Sequence, residues 1–312
     1  MIKRNKKIVI CIPTCQRQKE LKRLFVSLFR QENIPTGYTF EVLVINNDQN
    51  SYLKTVLSEI EVLPYIIHCI DVKQRGFANV RNAAVSWVLE SDMDALIFVD
   101  DDEVVPPDWL ASMMRAWMKY GGDIITGPVT QILPSSGSRF GKMFHLFETN
   151  YYQKSGEKLS YATSNNTLVS RKVLNAMGPT FHPSLNRSGG EDTLYFHQAH
   201  LKGFAIYWDK SISIEEPTPP ERATTHYVLY RWFHHGMNRI VINRILYPED
   251  WMNMSRQLIL QVSVGILRSF AASIVRLDKR RFGNTVCRLA WLGGNVARLL
   301  GITATNRIYN NK

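Results

Sequence analysis

One segment, residues 96–110 with the sequence LIFVDDDEVVPPDWL, limits what this chain can fold into more than any other. Its apolar residues at positions 96–99 run directly into acids at positions 100–103. The apolar part is too short for a helix and rich in strand-forming residues, so it predicts a buried strand. In an open parallel sheet, ligands bind in the crevice beyond the carboxyl ends of the strands. The acids are therefore predicted to lie at a ligand-binding edge.

Asp100, Asp101 and Asp102 would repel one another and lose hydration at such an edge. A divalent cation that also holds a phosphate would relieve this repulsion, because hard cations prefer carboxylate oxygens. The alternative is a solvated acidic turn, which is the commoner role of adjacent acids but fits less well directly after a buried strand. A metal–phosphate site is therefore the working hypothesis.

Strand and helix patterns alternate through the first 120 residues. Strands are predicted at residues 7–13, 40–48, 65–72 and 96–99, and helices at residues 21–31, 53–60, 76–90 and 108–120. This alternation predicts a mostly parallel, doubly wound α/β sheet with flanking helices and right-handed crossovers. Each of these strands ends in polar residues, which would gather on one edge of the sheet.

The pattern loosens after Gly127. Residues 133–160 have no clear period, which favours a long functional loop or lid. A strand and the start of a helix are predicted from Ser164. Further on, the sequence predicts a helix at residues 188–203 with Glu191 and Asp192 in its first turn, a strand region at residues 204–216 and a helix at residues 225–246.

The net charge of +11 is concentrated near the C-terminal end. Residues 255–312 hold ten lysine and arginine residues and a single acid, Asp278, which leaves the preceding residues nearly neutral. A nucleic-acid enzyme would spread its basic residues around the substrate cleft, so no nucleic acid is expected as a partner.

The four cysteines show neither a CxxC pair nor zinc spacing and favour a reducing compartment. The basic N-terminus leads into an apolar run too short for a signal sequence.

Two basic amphipathic helices are predicted near the C-terminal end, at residues 257–279 and 281–298. Such helices can lie in a membrane interface and bind anionic lipid. The alternative is that their apolar faces pack on the body of the protein or on a second subunit. The longest uncharged run there, between Arg256 and Arg268, has eleven residues. Because a transmembrane helix needs roughly 20 apolar residues, none is expected.

Five motifs follow one another along the chain: IPTCQR at residues 12–17, INND at 45–48, RGFANVRNAA at 75–84, DDDE at 100–103 and GGEDTLYF at 189–196. In this order they resemble family 2 glycosyltransferases of the GT-A fold, over about residues 7–235. The forms RG-x-A-x-x-RN and DDDE-x-x-P-x-x-WL look most like bacterial members that build surface polysaccharides. The resemblance implies a Rossmann-like, mostly parallel sheet and an inverting enzyme that uses nucleotide-diphosphate sugars.

The resemblance also implies a division of the chain. We expect a GT-A catalytic domain over residues 1–250, with a nucleotide-binding half at residues 1–127 and an acceptor half at residues 128–250. Residues 251–312 would form the basic amphipathic helical tail.

By the same resemblance, nine residues would bind the donor: Pro13, Thr14, Arg17, Asn46, Asp48, Arg75, Arg81, Asp100 and Asp101. Pro13, Thr14 and Arg17 would border the base. Asn46 stands where most of the family has an aspartate that contacts base or ribose, which weakens the case for uridine, although an amide can still pair with a base edge and Asp48 can share the role. Arg81 would make bidentate contacts to phosphate or base oxygens. The alternative for Arg81 is a surface ion pair.

The metal and acceptor sites follow from the same resemblance. Asp102, with Asp100, would hold Mn2+ or Mg2+ on the diphosphate, and His234 or His235 would complete the metal shell, because imidazole also suits Mn2+. The alternative is that both histidines are packing or surface residues. Trp232 and Asn165 would contact the acceptor. The glutamine that precedes the RW pair in polymerising relatives is missing here, so transfer of a single sugar is expected.

Asp192 matches the acid that acts as general base in the family's ED motif. Displacement at an anomeric carbon needs the acceptor hydroxyl deprotonated as it attacks, which a carboxylate within hydrogen-bond reach can do. Glu191 is the rival base. The alternative is that both acids merely favour the start of a helix electrostatically.

The function expected from the sequence is transfer of one sugar to a lipid-linked or oligosaccharide acceptor in bacterial surface polysaccharide synthesis. The enzyme would be cytoplasmic and peripheral at the inner face of the plasma membrane, held to anionic lipid by its tail, with a homo-oligomer possible in principle. One alternative is a nucleotidyltransferase or phosphohydrolase, against which the first crossover lacks a glycine-rich phosphate loop. Another is a non-catalytic membrane-associated subunit of a polysaccharide assembly complex.

Overall fold

The computed structural model describes residues 4–48, 52–60, 64–148 and 154–302. The chain forms two compact units. The first comprises Met1–Thr130, Thr149–Asn186 and Glu191–Pro217, and the second comprises Gln131–Glu148, Arg187–Gly190 and Thr218–Lys312. The domain boundaries expected at residues 127 and 250 remain predictions.

Strands and helices alternate along the first 120 residues, as the sequence predicts. The strands of the described chain are β1 (Lys6–Thr14), β2 (Tyr38–Asn46), β3 (Ile66–Asp71), β4 (Ala95–Phe98), β5 (Ile124–Thr126), β6 (Val129–Ile132), β7 (Glu157–Leu159), β8 (Thr167–Ser170), β9 (Ile206–Trp208) and β10 (Ile214–Pro217). Its helices are α1 (Gln18–Leu28), α2 (Leu53–Ser58), α3 (Phe77–Glu90), α4 (Trp109–Tyr120), α5 (Arg139–Met143), α6 (Arg171–Met177), α7 (Glu191–Leu201), α8 (Thr225–Leu246), α9 (Trp251–Val275) and α10 (Lys279–Leu299).

Within the described residues the main sheet has eight strands in the order β3-β2-β1-β4-β8-β5-β9-β7. The half that contains β3, β2, β1 and β4 is entirely parallel. In the other half, β8 runs antiparallel to β4 and β5, β9 is parallel to β5, and β7 is antiparallel to β9. The central sheet is thus mostly parallel with flanking helices, and the predicted α/β fold class is confirmed.

The parallel strands are buried on both faces. Along β1, Ile8 and Ile10 belong to one hydrophobic cluster, and Val9 and Cys11 belong to the cluster on the other face. This is why β1 reads as a continuous apolar run rather than an alternating one. Full burial of one large aliphatic side chain contributes about 1.5–3 kcal/mol, so these clusters hold the strand ends in place.

The carboxyl ends of the parallel strands are in register. Thr14 of β1 pairs with Asn46 of β2, which pairs in turn with Asp71 of β3. On the other side of β1, the Val99 amide donates to the carbonyl of Cys11 and continues the line beyond β4. The polar residues that follow these strands therefore lie along one edge, as the sequence predicts.

The predicted elements match the structure best where the apolar period is strong. Helix α8 has the predicted bounds, and α7 begins at Glu191, so that Glu191 and Asp192 lie in its first turn. The expectation of one irregular loop over residues 133–160 is wrong where α5 and β7 lie, and residues 149–153 fall outside the described part of the chain. The continuous strand expected at residues 204–216 is wrong as well, because a 3-10 turn (Lys210–Ile212) separates β9 from β10.

The second unit contains a packed set of helices, α8, α9 and α10. Glycines permit their close approach: a Cβ at Gly236 of α8 would overlap the carbonyl oxygen of Trp291, and one at Gly294 of α10 would overlap that of Phe233. Helix α10 thus packs on α8 through backbone contact. Asn295, in the helix that the sequence predicts at residues 281–298, is completely buried in this interface.

Helix α9 differs from the sequence expectation. It is 25 residues long, and by length and composition it is apolar enough to cross a membrane. The uncharged run between Arg256 and Arg268 underestimates this length, because both arginines lie within the one helix, twelve residues apart. The expectation that no helix crosses a membrane remains a prediction. The outward face of α9 carries a stripe of exposed apolar side chains: Leu260, Val264, Leu267 and Ile274. The sequence pattern alone does not distinguish this exposed face from the buried one.

Candidate active site

The acids after β4 form a tight turn. The amide of Asp100 donates to Oε2 of Glu103 at 2.7 Å, and the amide of Glu103 donates to the carbonyl of Asp100 at 3.2 Å. Glu103 is buried, and its second oxygen has no hydrogen-bond partner within the described residues. Burial and repulsion from Asp100 raise the pKa of Glu103 well above its usual value. Glu103 therefore braces the turn that presents the three aspartates through these hydrogen bonds.

Arg17 lies on two of these aspartates. Its Nη1 donates to Oδ1 of Asp101 at 2.8 Å and to Oδ2 of Asp102 at 2.6 Å. Thr14 donates its hydroxyl to the other oxygen of Asp101 at 2.8 Å and lies 2.9 Å from the hydroxyl of Tyr52. Burial opposes the charge on Arg17, but the two carboxylates outweigh burial and raise its pKa. The first and fourth motifs are thus joined by charge-assisted hydrogen bonds.

The aspartates carry more negative charge than the two arginines near them offset. Burial raises the pKa of Asp101 to about 7, with Arg17 lowering it and Asp102 raising it further. The pKa of Asp100 is also raised, first by loss of hydration and then by Asp102, against the opposing charge of Arg81. An additional cation at this turn would be stabilised.

Arg81 of α3 links the acidic turn to the start of α7. Its Nη1 donates to Oε1 of Glu191, and its Nη2 lies 3.8 Å from Oδ1 of Asp100. Arg81 and Glu191 are both buried, so this is an internal ion pair and not the surface ion pair considered from the sequence. Burial raises the pKa of Glu191 to about 7, although Arg81 lowers it. The guanidinium of Arg81 is committed to protein carboxylates in this structure.

Asp192 is held differently from its neighbour. It is half-buried, and Oδ2 accepts from the amide of Ser164 at 3.2 Å while Oδ1 accepts from the amide of Thr193 at 2.6 Å. Its charge reaches both Arg81 and Asp100. Asp192 is therefore a fixed, partly accessible carboxylate beside the acidic turn, whereas Glu191 is enclosed.

The loops after β2 and β3 are tied together by Asn47. Its Nδ2 donates to the carbonyls of Val72 and Gln74, and its Oδ1 accepts from the amide of Gly76. Gly76 has a φ of +145°, and a Cβ there would overlap the side chain of Asn186. No other residue type suits this position, which explains the glycine before α3.

Asp48 and Arg75 meet across these loops. Nη2 of Arg75 lies 3.5 Å from Oδ1 of Asp48, and Nε2 of Gln16 donates to the same oxygen at 3.3 Å. Arg75 is exposed, while the Asp48 side chain is almost fully covered. Pro13 is half-buried next to Thr14 in β1. The residues expected to bind the donor thus lie along the carboxyl edge of the parallel half-sheet.

Asn165 lies in the turn before β8, and the neighbouring residue, Asn166, holds this turn in place. Asn166 is completely buried with a φ of 54°. Its Oδ1 accepts from Nε1 of Trp109 at 2.8 Å, and its Nδ2 donates to the carbonyls of Pro128 and Ile212. Asn166 fixes the turn whose Ser164 amide binds Asp192, and it places the half-buried Asn165 there.

The remaining predicted residues belong to the second unit. His234 is buried in α8, 4.2 Å from the ring of Tyr230, and burial lowers its pKa. His235 is exposed, with its ring 6.4 Å from that of Trp232. Trp232 packs against a small apolar cluster that includes Val228. Their expected roles toward metal and acceptor remain predictions.

The donor set of the acidic turn fits a divalent cation. Asp100, Asp101 and Asp102 offer carboxylate oxygens, which hard cations prefer. Burial raises the pKa of Asp100 and Asp101, and a cation that replaces the lost hydration would stabilise their charged forms. In the part of the chain that the structure describes, no three His, Cys, Asp or Glu side chains already converge as a metal-binding group. The residues therefore suit the ion chemically, in an arrangement that Arg17 now bridges.

The buried acids predict how stability depends on pH in the absence of metal. Asp101 and Glu191 have native pKa values of about 7, above the value of about 4 expected in the unfolded chain. Between pH 4 and 7 the unfolded state loses these protons first, so both acids lower the free energy of unfolding as pH rises. His234, with its lowered pKa, acts in the opposite direction below about pH 6.5.

Urea unfolding at pH 5, 6, 7 and 8 checks this prediction. In wild type the free energy of unfolding should fall as pH rises. In Asp101→Asn this fall should be smaller, so that the variant gains stability relative to wild type as pH rises. A difference between the two proteins that does not change with pH would contradict the assignment of a raised pKa to Asp101.

The class of protein follows from comparison with known families. The model of glycosyl transferase family 2 matches residues 9–178, more than half of the chain. The chain belongs to this family: it is a glycosyltransferase with the GT-A fold. The resemblance drawn from the five motifs is confirmed.

Particular relatives agree with this assignment. The chain is 28% identical over 234 residues to the succinoglycan biosynthesis protein ExoM of Rhizobium meliloti (strain 1021), which covers 74% of each chain. The mannosyltransferase PcManGT from Pyrobaculum calidifontis, solved with GDP-Man and Mn2+, matches with a TM-score of 0.62 at 11% identity and covers 96% of this chain and 88% of that one. TarS 1–349 of S. aureus, solved with UDP, gives 0.52 at 15% identity, over 95% and 92% of the two chains. At these identities the two solved structures show likeness of fold.

Three residues of the candidate site were assigned no role from the sequence, although Glu103 was noted within the DDDE motif. Tyr52 lies against Thr14, Glu103 braces the acidic turn, and Asp71 ends β3 beside Asn46. Asp71 could have been found, because it stands at the end of a predicted strand like the other edge residues. Tyr52 had no comparable signal, since an isolated tyrosine directly before a short helix usually serves packing.

Proposed function

We propose that this glycosyltransferase transfers one sugar from a nucleotide-diphosphate sugar to a lipid-linked or oligosaccharide acceptor, with inversion at the anomeric carbon. The observation that carries the proposal is the placement of Asp192 beside the acidic turn of Asp100–Asp102, with Arg81 between them. One carboxylate group would hold the leaving diphosphate and the other would activate the acceptor. ExoM, named for succinoglycan biosynthesis, supports a role in polysaccharide synthesis.

In this proposal Asp192 is the general base. The acceptor oxygen attacks the anomeric carbon from the side opposite the diphosphate, its proton passes to the Asp192 carboxylate, and the electron pair of the broken C–O bond leaves with the nucleoside diphosphate. Hydrogen bonds from the Ser164 and Thr193 amides fix the carboxylate, so that one orientation faces the incoming hydroxyl. Glu191, enclosed with Arg81, would position the start of α7.

The donor is oriented along the strand ends. Pro13, Thr14 and the loops after β2 and β3 would border the nucleoside, and the Asp100–Asp102 turn would meet the diphosphate and sugar. A divalent cation, Mn2+ or Mg2+, would be held by Asp102 and Asp100 and would offset the charge that develops on the leaving oxygens. Arg17 donates a hydrogen bond to Asp102 in this structure. Its guanidinium would have to move away from Asp102 for the cation to bind there.

Donor turnover tests the proposal. Purified protein with Mn2+ should release nucleoside diphosphate from a nucleotide sugar in the presence of acceptor, and Asp102→Asn should lose metal-dependent nucleotide binding. Asp92→Asn, an exposed acid paired with Lys7, is the matched control. Release of pyrophosphate would support a nucleotidyltransferase instead. Neither binding nor turnover across UDP, GDP and dTDP sugars would support a non-catalytic subunit.

We further propose that α9 holds the protein at an anionic membrane surface on the cytoplasmic side. Its exposed stripe of Leu260, Val264, Leu267 and Ile274 is apolar, and residues 255–312 are strongly basic. Burial of such side chains in the acyl boundary, together with attraction of the basic residues to anionic lipid, is the usual basis of interfacial binding. A lipid-linked acceptor would be present at the same surface.

Vesicle binding checks the membrane proposal. Leu260→Glu with Leu267→Glu should weaken binding to phosphatidylglycerol-containing vesicles at least about tenfold, since each leucine contributes about 1.5–3 kcal/mol when buried. Gln257→Glu with Gln261→Glu is the control, because these exposed residues of the same helix receive the same change in charge. Equal loss in both double variants would show that charge alone, and not the leucine stripe, sets binding.

A further inference from the structure

Both side-chain N–H donors of Asn46 are engaged inside the protein. Asn46 is buried at the end of β2, and its Nδ2 donates to Oδ1 of Asp71 at 2.8 Å and to the carbonyl of Asp48 at 3.3 Å. Its Oδ1 accepts from the amide of Asp48 at 3.2 Å. A side-chain amide has two N–H donors, so neither remains for a ligand. Asn46 is therefore poorly suited to the contact with a base that its position would suggest.

Asp71 has a polar atom that can contact a ligand. It ends β3, directly paired with Asn46 in the sheet register, and it is exposed. One oxygen accepts from Asn46, and among the described residues the other accepts no hydrogen bond. The amide of Asn46 thus orients the Asp71 carboxylate and leaves Oδ2 toward solvent at the sheet edge.

The distance from the acidic turn to Asp71 suits a nucleotide whose diphosphate lies at the aspartates. The row across the edge runs from Asp101 through Thr14 and Asn46 to Asp71. Three neighbouring-strand spacings of about 4.8 Å place Asp71 roughly 14 Å from the β4 end. If the diphosphate lies at the aspartates, the nucleobase extends along this row toward β3.

We propose that Asp71, oriented by Asn46, selects the nucleobase of the donor. This inference rests on the proposed function. An ionised carboxylate only accepts hydrogen bonds, so it favours bases with a ring N–H at the pairing edge, which are guanine, uracil and thymine. Cytosine and adenine present a ring nitrogen acceptor there, which would repel the carboxylate. The family's β2 acid is thus replaced by an acid from β3.

A single substitution should change this preference. In Asp71→Asn the new side-chain oxygen still accepts from Asn46, so the link between the strands is kept while an NH2 group replaces Oδ2. That group donates, and it suits the ring nitrogen of cytosine. We expect about tenfold weaker binding of the preferred nucleoside diphosphate, relatively stronger binding of CDP, and an unchanged unfolding temperature.

The double substitution Asn46→Asp with Asp71→Asn should restore the preference. In that variant the new side-chain amide on β3 donates to the new carboxylate on β2 and turns its own oxygen outward, so an acceptor again faces the base. A role of Asp71 as a mere brace between strands would give no such reversal. Asp92→Asn is the control for loss of an exposed acid.

Calorimetric titration of the full chain with GDP, UDP, dTDP, CDP and ADP in the presence of Mn2+ makes the test. Support requires that GDP, UDP or dTDP bind more tightly than CDP and ADP, and that Asp71→Asn reduce this difference. Wild-type preference for CDP or ADP, or an unchanged order in Asp71→Asn, would overturn the assignment to Asp71 while leaving the proposed function standing. Binding of none of the five would overturn both.

Discussion

Asp192→Asn should lower kcat for sugar transfer by about 10²- to 10⁴-fold, the usual contribution of a general base. The amide cannot take up the acceptor proton, but it keeps an oxygen that can accept from the Ser164 or Thr193 amide. Donor binding should therefore change little, because in the proposed mechanism Asp192 acts on the acceptor. The measurement is kcat and KM for donor and acceptor, with nucleotide affinity determined separately.

Glu191→Gln is the informative comparison for this prediction. Glu191 is buried against Arg81 and should affect mainly folding stability. If Glu191→Gln lost more activity than Asp192→Asn at equal folded fraction, the roles assigned to the two acids would be reversed. A kcat for Asp192→Asn within tenfold of wild type would leave only the electrostatic role at the start of α7 for this residue.

The general plan of the site could be predicted from the sequence because strand ends are local features. The apolar run before Asp100 marks β4, and the polar residues after β1 and β2 follow the same pattern. Parallel strands bring such ends to one edge whatever their separation in the chain. Asp192 does not follow a predicted strand. Its position could be predicted only because the glycines at 189–190 mark the start of a helix, with Asp192 in its first turn.

The pairing of charges could not be predicted in this way. Arg81 was expected at the nucleotide, yet its closest partner, Glu191, lies 110 residues further along. Which of several carboxylates an arginine meets depends on how α3 packs beside α7, and no local pattern records it. Asn46 was likewise recognised as a departure from the family, but its bond to Asp71 depends on the register of β2 and β3.

The tail shows a different limit. The sequence pattern predicted an amphipathic helix at residues 257–279, in which the structure buries Ile266. It could not separate a buried apolar face from an exposed one, because both contain leucine, isoleucine and valine. Only the packing of α9 within its own unit distinguishes Ile266 from the exposed Leu267.

The buried ion pair leads to the second large effect. Arg81→Met should lower the free energy of unfolding by about 3–5 kcal/mol, the usual cost of removing one partner of a buried pair. Glu191 would then lack the cation that now opposes its burial. Glu191→Gln should cost less, because Arg81 keeps Asp100 within 3.8 Å. The double variant Arg81→Met with Glu191→Met should recover much of the loss, since neither charge remains buried.

The pH dependence of this loss identifies its cause. The pKa of Glu191 is already about 7 beside Arg81, and removing Arg81 raises it further, so that at pH 5 the side chain is protonated and neutral. At pH 8 the native state of Arg81→Met must either bury a charge or bind a proton, while the unfolded chain is ionised. Urea unfolding should therefore show a larger loss at pH 8 than at pH 5. An equal loss at both values, with no recovery in the double variant, would mean that Arg81 stabilises the fold through packing of its side chain instead of through its charge.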